Sequence, residues 1–180
     1  MPNAINIKVA LLMYPARLLL ALLLCFSSSL YALETPTSRT ILTVTGAIKN
    51  TNSESGAIFD ATMLNALPRH SVSTHNLWTD GLHTYEGFSA LDLLNMLGNQ
   101  GNVLQITALN DYMTEIPIAD FAEQGAIFAT HQNGKPMSVR NLGPIMVIYP
   151  FDTNETVRSD IYYSRSIWQI KHIKSIVVAE

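Results

Sequence analysis

The chain has 180 residues, 48% hydrophobic and only 14% charged, with a formal charge of −3. That suffices for one globular domain with its own core and excludes two large ones. Charge content well below the ~25% of an average soluble domain argues against intrinsic disorder, and the lack of a basic excess argues against a nucleic-acid binder.

The first segment reads as an export signal. Lys8 and Arg17 precede an unbroken apolar run, Leu18 to Phe26, followed by Ser27–Ser29 and Leu30-Tyr31-Ala32. Positive, apolar and small residues in that order are the layout of a secretory signal peptide. Residues 1–32 are therefore expected to be cleaved after Ala32. The alternative is an uncleaved membrane anchor, but Pro15 and Arg17 interrupt the longer stretch, and the clean run is short for a spanning helix. Cys25 is the single cysteine and lies inside this segment. A cleaved chain would have no disulfide, thiolate ligand or thiol nucleophile. The expected location is exported, periplasmic in a bacterium, with no membrane insertion after cleavage.

Residues 33–40 are polar, contain Pro36 and read as a linker to a domain spanning 41–180. Ile41 to Thr45 alternates apolar and polar residues up to Gly46, a strand signal, and Ala57–Phe59 is a second short strand. Asp60 can cap a short helix carrying Met63, Leu64 and Leu67, stopped by Pro68. Ser89 to Leu97 reads as a helix with Ser89 as N-cap, Asp92 completing a shortened capping box, and Leu91, Leu94 and Met96-Leu97 as its apolar stripe. Strands are expected at Val103–Leu109, Met113–Ile116 and Ala126–Thr130. Asn133-Gly134 marks a hairpin turn with Lys135 to Val139 beyond it. Ile145–Tyr149, Ile167–Ile170 and Ile173–Val178 complete the strands. Strands outnumber helices without regular alternation, which predicts a mixed α+β domain.

Four stretches in order carry a resemblance. They are Thr74-His75-Asn76-Leu77-Trp78-Thr79-Asp80-Gly81; Tyr85-Glu86-Gly87-Phe88 leading into Leu91-Asp92-Leu93-Leu94; Ala108-Leu109-Asn110-Asp111-Tyr112; and Asn133-Gly134-Lys135-Pro136-Met137 with Gly143-Pro144. The set resembles the molybdopterin-binding domain of sulfite-oxidase-type oxidoreductases, and more closely the small exported proteins built from that domain alone. The resemblance covers about Ile41 to Val178. It implies a largely β, α+β fold and two-electron redox chemistry at a molybdenum held by a pterin dithiolene and one protein cysteine, a soft ligand suited to that metal.

The chain departs from that pattern at the ligand. Counting back from Tyr85-Glu86-Gly87 places the family's cysteine at Thr74 or His75. The arginine that relatives carry after Gly-Pro, near the pterin phosphate, is replaced by Ile145 and Met146, with Arg140 upstream out of register. The resemblance thus implies that Thr74, His75, Trp78, Asp80, Asn110, Asp111, Tyr112 and Arg140 surround the old cofactor face. No catalytic residue is assigned, and whether the chain is an enzyme stays open. The expected function is a non-catalytic exported domain that uses this face to bind a small ligand or a membrane-bound sensor or redox protein. No cofactor is expected. The alternative is a molybdopterin-dependent oxidoreductase with an altered ligand such as His75.

The resemblance puts Trp78 and Tyr112 in the two loops that surround the pterin mouth in the relatives, which implies an aromatic-lined pocket with Asn110, Asp111 and Asp80 as polar fixtures. Packing of Trp78 onto the sheet is the plainer reading. Asp80 and Asp111 would make the mouth acidic and favour neutral or cationic ligands. His75, Asp80 and His83 share a loop but lack helical metal-ligand spacing, so a polar loop is expected there and no metal site. No Gly-x-Ser-x-Gly nucleophile elbow is present.

Overall fold

A computed structural model describes residues 33–179. The export-signal reading falls on residues 1–32, outside those described. Ten strands and four short helices follow one another in an α+β arrangement. The strands form two five-stranded sheets.

The first sheet runs in the order β2-β1-β10-β5-β6. β1 (Leu42–Gly46) buries Leu42 and Val44 and leaves the threonines half-buried, which is the alternation its sequence carries. β2 (Ala57–Phe59) lies antiparallel to it. β10 (Ile170–Ile176) lies parallel on β1's other side, pairing Val44 with Ile173. β5 (Val103–Ala108) and β6 (Met113–Pro117) complete the sheet as an antiparallel pair. The two separate strands expected at the C-terminus are one, β10. Ser166–Gln169 is not strand, because Gln169 adopts a left-handed backbone (φ 54°) and donates its N–H to the Leu142 carbonyl.

The second sheet is β3 (Arg69–Thr74), β4 (His83–Phe88), β7 (Ile127–Gln132) and β8 (Lys135–Pro136), with β9 (Met146–Ile148) also on β7. β3 and β4 were not expected. β3 is an edge strand whose residues are mostly exposed, so its sequence lacks the apolar alternation that marks a half-buried strand. The hairpin at Asn133-Gly134 forms, but its second arm ends at Pro136 and turns into a single 3-10 turn at Val139–Asn141. Proline cannot donate to a ladder.

Helix α1 (Ala61–Asn65) is capped as expected, the Asp60 carboxylate accepting the Met63 N–H at 2.9 Å. Helix α2 (Ala90–Met96) is capped by Ser89, whose hydroxyl accepts from Leu91 N–H. Its buried stripe is Ala90, Leu93 and Leu94, whereas Met96 is exposed. Asp92 closes no capping box and instead meets His70 Nε2 at 3.1 Å. α3 (Ile118–Glu123) and α4 (Asp160–Arg165) are additional short helices. One contiguous core draws on both sheets and on α1, α2 and α3. Fully burying a side chain such as Leu42, Phe88 or Ile106 contributes roughly 1.5–3 kcal/mol.

The segment read as a linker is fastened to the domain. The second Asp60 carboxylate oxygen accepts the backbone N–H groups of Thr37 and Ser38 at 3.0 Å each. The Met63 N–H first, and then these further donors, hold the Asp60 carboxyl below its ordinary value. A depressed carboxyl stabilises the fold above its unfolded value of about 4, and that contribution is lost as pH falls through the folded value. Asp60→Asn should therefore lower the melting temperature at pH 7 and flatten its decline below pH 4. A variant that melts with the parent at both pH values would contradict this role.

Candidate functional site

Where β3 ends, the chain makes a loop that carries Trp78. Asn76 organises it. Its Oδ1 accepts the N–H groups of Trp78 (2.9 Å) and Thr79 (3.0 Å), and its Nδ2 donates to the Tyr85 hydroxyl at 2.7 Å. Asx turns of this kind let a short polar side chain set backbone direction. Trp78 is thereby laid against Trp168 (centroids 5.5 Å apart), Tyr163 (6.4 Å) and Phe151 (6.4 Å).

The rings of Trp78, Tyr163 and Trp168 form one wall of a cavity of about 360 Å³. Leu77 and Trp78 come from the loop after β3. Ala108, Asn110 and Tyr112 come from the β5–β6 turn. Tyr163, Ser164, Ser166, Ile167 and Trp168 come from the end of α4 and the approach to β10. The volume falls in the usual range for small-molecule sites, and the lining is mostly apolar with a few hydroxyls and one amide. Tyr112 is half exposed, and its hydroxyl donates to the Ser164 carbonyl at 3.4 Å.

The residues that sequence reasoning placed at this face do not all meet here. Trp78, Asn110 and Tyr112 do. Asp111 neighbours them but carries a left-handed backbone (φ 65°) and pairs with Lys171 Nζ at 2.6 Å. Asp80 lies outside the lining, its carbonyl accepting from His83 Nε2. Arg140 sits exposed on the 3-10 turn, away from this lining. The acidic mouth that Asp80 and Asp111 were expected to make is absent, since one stands apart and the other is neutralised by its lysine.

Thr74 and His75 lie just beyond. Thr74 is fully buried. Its hydroxyl donates to the His75 carbonyl at 3.0 Å and accepts the Asp152 N–H at 3.1 Å. His75 donates both its backbone N–H (3.0 Å) and Nδ1 (2.8 Å) to Asp152 Oδ2. The imidazole contact first, then the backbone N–H, holds the Asp152 carboxyl below its ordinary range. His75, Asp152 and Arg158 line a smaller hollow of about 210 Å³. The Arg158 guanidinium is itself occupied, Nη2 donating to the Asp152 carbonyl at 2.8 Å. Among the described residues, no three or more His, Cys, Asp or Glu side chains converge as a metal site, and His75, Asp80 and His83 do not converge.

Tyr163 and Trp168 were missed. Residues 167–170 read as strand, which hid the ring at Trp168, and α4 was not expected at all. Ser159-Asp160 ahead of Ile161-Tyr162-Tyr163 was the available signal, a helix-start pair before an aromatic turn.

What holds α4 in place is a buried carboxylate. Asp120 on α3 is 6% exposed. Its Oδ2 accepts from the Tyr149 hydroxyl (2.8 Å) and from Arg165 Nη1 (3.0 Å). Burial, reinforced by the adjoining carboxylate, pushes the Tyr149 hydroxyl far above its ordinary value, so it remains a donor.

No family model and no curated protein matches this chain. Among solved structures, the chain is similar to the sulfane dehydrogenase SoxCD from Paracoccus pantotrophus, with a TM-score of 0.58 and 14% identity. The match covers 82% of this chain and 41% of that one, so this chain spans less than half the length of the protein it matches. At that identity the likeness is one of fold.

Arg165→Ala would leave the Asp120 carboxylate buried with the tyrosine alone. Removing one partner of a buried pair costs 3–5 kcal/mol, and the partial exposure of Arg165 reduces this to about 2–3 kcal/mol. Denaturant unfolding should show that loss, with a changed tryptophan emission as α4 loosens. An unchanged midpoint would remove Asp120 from its anchoring role.

Proposed function

We propose that the chain is an exported, non-catalytic domain on a sulfite-oxidase-type molybdopterin-binding fold, which binds a small ligand in its aromatic cavity and works with a membrane-bound sensor or redox partner. The fold likeness to a sulfane dehydrogenase supports the first half of this reading, alongside the ordered sequence resemblance. The single observation that carries the non-catalytic half is Thr74. It is one of the two positions, Thr74 or His75, where the resemblance puts the metal-binding thiolate, and it is buried with its hydroxyl engaged on both sides by protein. A neutral hydroxyl in that state has neither the charge nor the softness that molybdenum takes from cysteine.

His75 favours a second reading, in which the cofactor is kept with an altered ligand. Asp152 holds Nδ1, which is how metal-bound histidines are commonly oriented, and this leaves Nε2 available. A neutral imidazole supplies neither the negative charge nor the softness of the single cysteine thiolate it would replace, so the donor does not fit the group. The arginine that would meet the pterin phosphate is also missing. In its stead Ile145 and Met146 are wholly buried, so no charged side chain at those positions serves a phosphate.

Protein purified from cells that make molybdopterin should carry molybdenum far below one atom per chain. Stoichiometric molybdenum and pterin, lost on His75→Ala, would overturn this reading in favour of the enzyme. Export is tested separately. Mass spectrometry of the natively produced protein should find an N-terminus at Leu33, whereas an intact Met1 on membrane-embedded protein would contradict it.

A further inference from the structure

Four aromatic side chains line the cavity, and none of its ten lining residues is charged. The charged residues that adjoin the lining at Asp111 and Arg165 are engaged elsewhere. Asp111 is paired with Lys171, and Arg165 on α4 with Asp120. A charged ligand entering this space would lose hydration and gain no counter-charge, a cost that usually decides against it.

The polar atoms on the lining are unequal. Asn110 Oδ1 accepts the Tyr112 N–H at 3.1 Å, which fixes the orientation of the amide. Its Nδ2 makes no hydrogen bond among the described residues, and neither do the indole N–H groups of Trp78 and Trp168 or the Tyr163 hydroxyl; the amide is the free donor that stands beside the Tyr112 turn. The hydroxyls of Tyr112, Ser164 and Ser166 already donate to the carbonyls of Ser164, Ile161 and Tyr162. What they retain are acceptor lone pairs. Trp78 meets Trp168 at 54° and Tyr163 at 75°, so the walls offer both ring faces and ring edges.

We infer that this cavity binds an uncharged, flat ring system bearing one carbonyl-type hydrogen-bond acceptor, which Asn110 Nδ2 reads while the aromatic walls hold the ring. This rests on the ligand-binding reading proposed above and names the class of ligand. The anionic pterin lies outside that class on charge alone. A ring of naphthalene size suits the roughly 360 Å³ available.

The chain supplies its own reporter. It has two tryptophans, Trp78 and Trp168, and both line the cavity. Three probes share a ring and differ in charge: 2-acetonaphthone is neutral, 2-naphthoate anionic and 2-naphthylmethylammonium cationic. Titration of the domain, followed by tryptophan emission and by calorimetry, should give binding of the ketone at least tenfold tighter than either ion. Asn110→Asp keeps the acceptor for the Tyr112 N–H but removes the amide donor and adds a negative charge. It should weaken the ketone at least fivefold and strengthen the ammonium, with the melting temperature held near the parent value. An ion that binds as tightly as the ketone, or an Asn110→Asp variant with unchanged preferences, overturns the neutral-ligand class while leaving a ligand cavity in place. Failure of all three probes to bind or to move the emission overturns this inference together with the small-ligand reading beneath it. A molybdenum-bearing protein would instead overturn the non-catalytic reading alone.

Discussion

One buried carboxylate organises the cavity-bearing half of this molecule. Asp120 sits on α3, inside a chain that is poor in charge, and it is stable there because two donors from other segments converge on a single oxygen. Tyr149 follows β9, and Arg165 is the last residue of α4. A buried ion pair adds little to net stability compared with apolar packing, but breaking it is expensive, so it favours one arrangement over its neighbours. Here the favoured arrangement is the seat of α4. Tyr163 and Ser164 belong to that helix and Ser166, Ile167 and Trp168 follow it directly, so half of the cavity wall depends on a residue that does not line the cavity.

Of the rest, Leu77 and Trp78 are set by Asn76, whose amide turns the loop so that Trp78 lies across Trp168 and Tyr163, and Ala108, Asn110 and Tyr112 come from β5 and the turn after it. Two unrelated polar devices thus clamp the same aromatic cluster from opposite sides. The loop from Phe151 to Arg158 adds a third brace, since its Asp152 gathers the Thr74 hydroxyl and both His75 donors.

Much of the fold was legible in the chain because the relevant signals are local. The alternation in Ile41–Thr45, which became β1 one residue later, the serine cap at Ser89, the Asp60 cap and the Asn133-Gly134 turn each read correctly, since each depends on residues within a few positions. β3 was not legible. As an edge strand with most of its residues in water, Arg69–Thr74 has no reason to alternate. Asp92 was misread because the capping partner it was assigned lost to His70, which β3 brings close. At the site, Trp78, Asn110 and Tyr112 could be found by type and position. Tyr163 and Trp168 could not, because their placement depends on the left-handed turn at Gln169 and on the distant Asp120 anchor. The charge of the mouth failed for the same reason: only the folded chain shows that Asp111 has Lys171 across from it.

The parallel pairing of β1 with β10 has a consequence for how such a chain emerges. Val44 waits for Ile173, and Thr43 for His172, so the centre of the first sheet cannot close until nearly the last residue is available. A chain threaded through a narrow pore from its N-terminus would expose β1 and β2 as an isolated pair, and a lone two-stranded hairpin is marginal in water. Closing a loop of this length before any reward also slows folding. In any such passage this wiring would keep the polypeptide threadable and let it lock only once the final strand arrives.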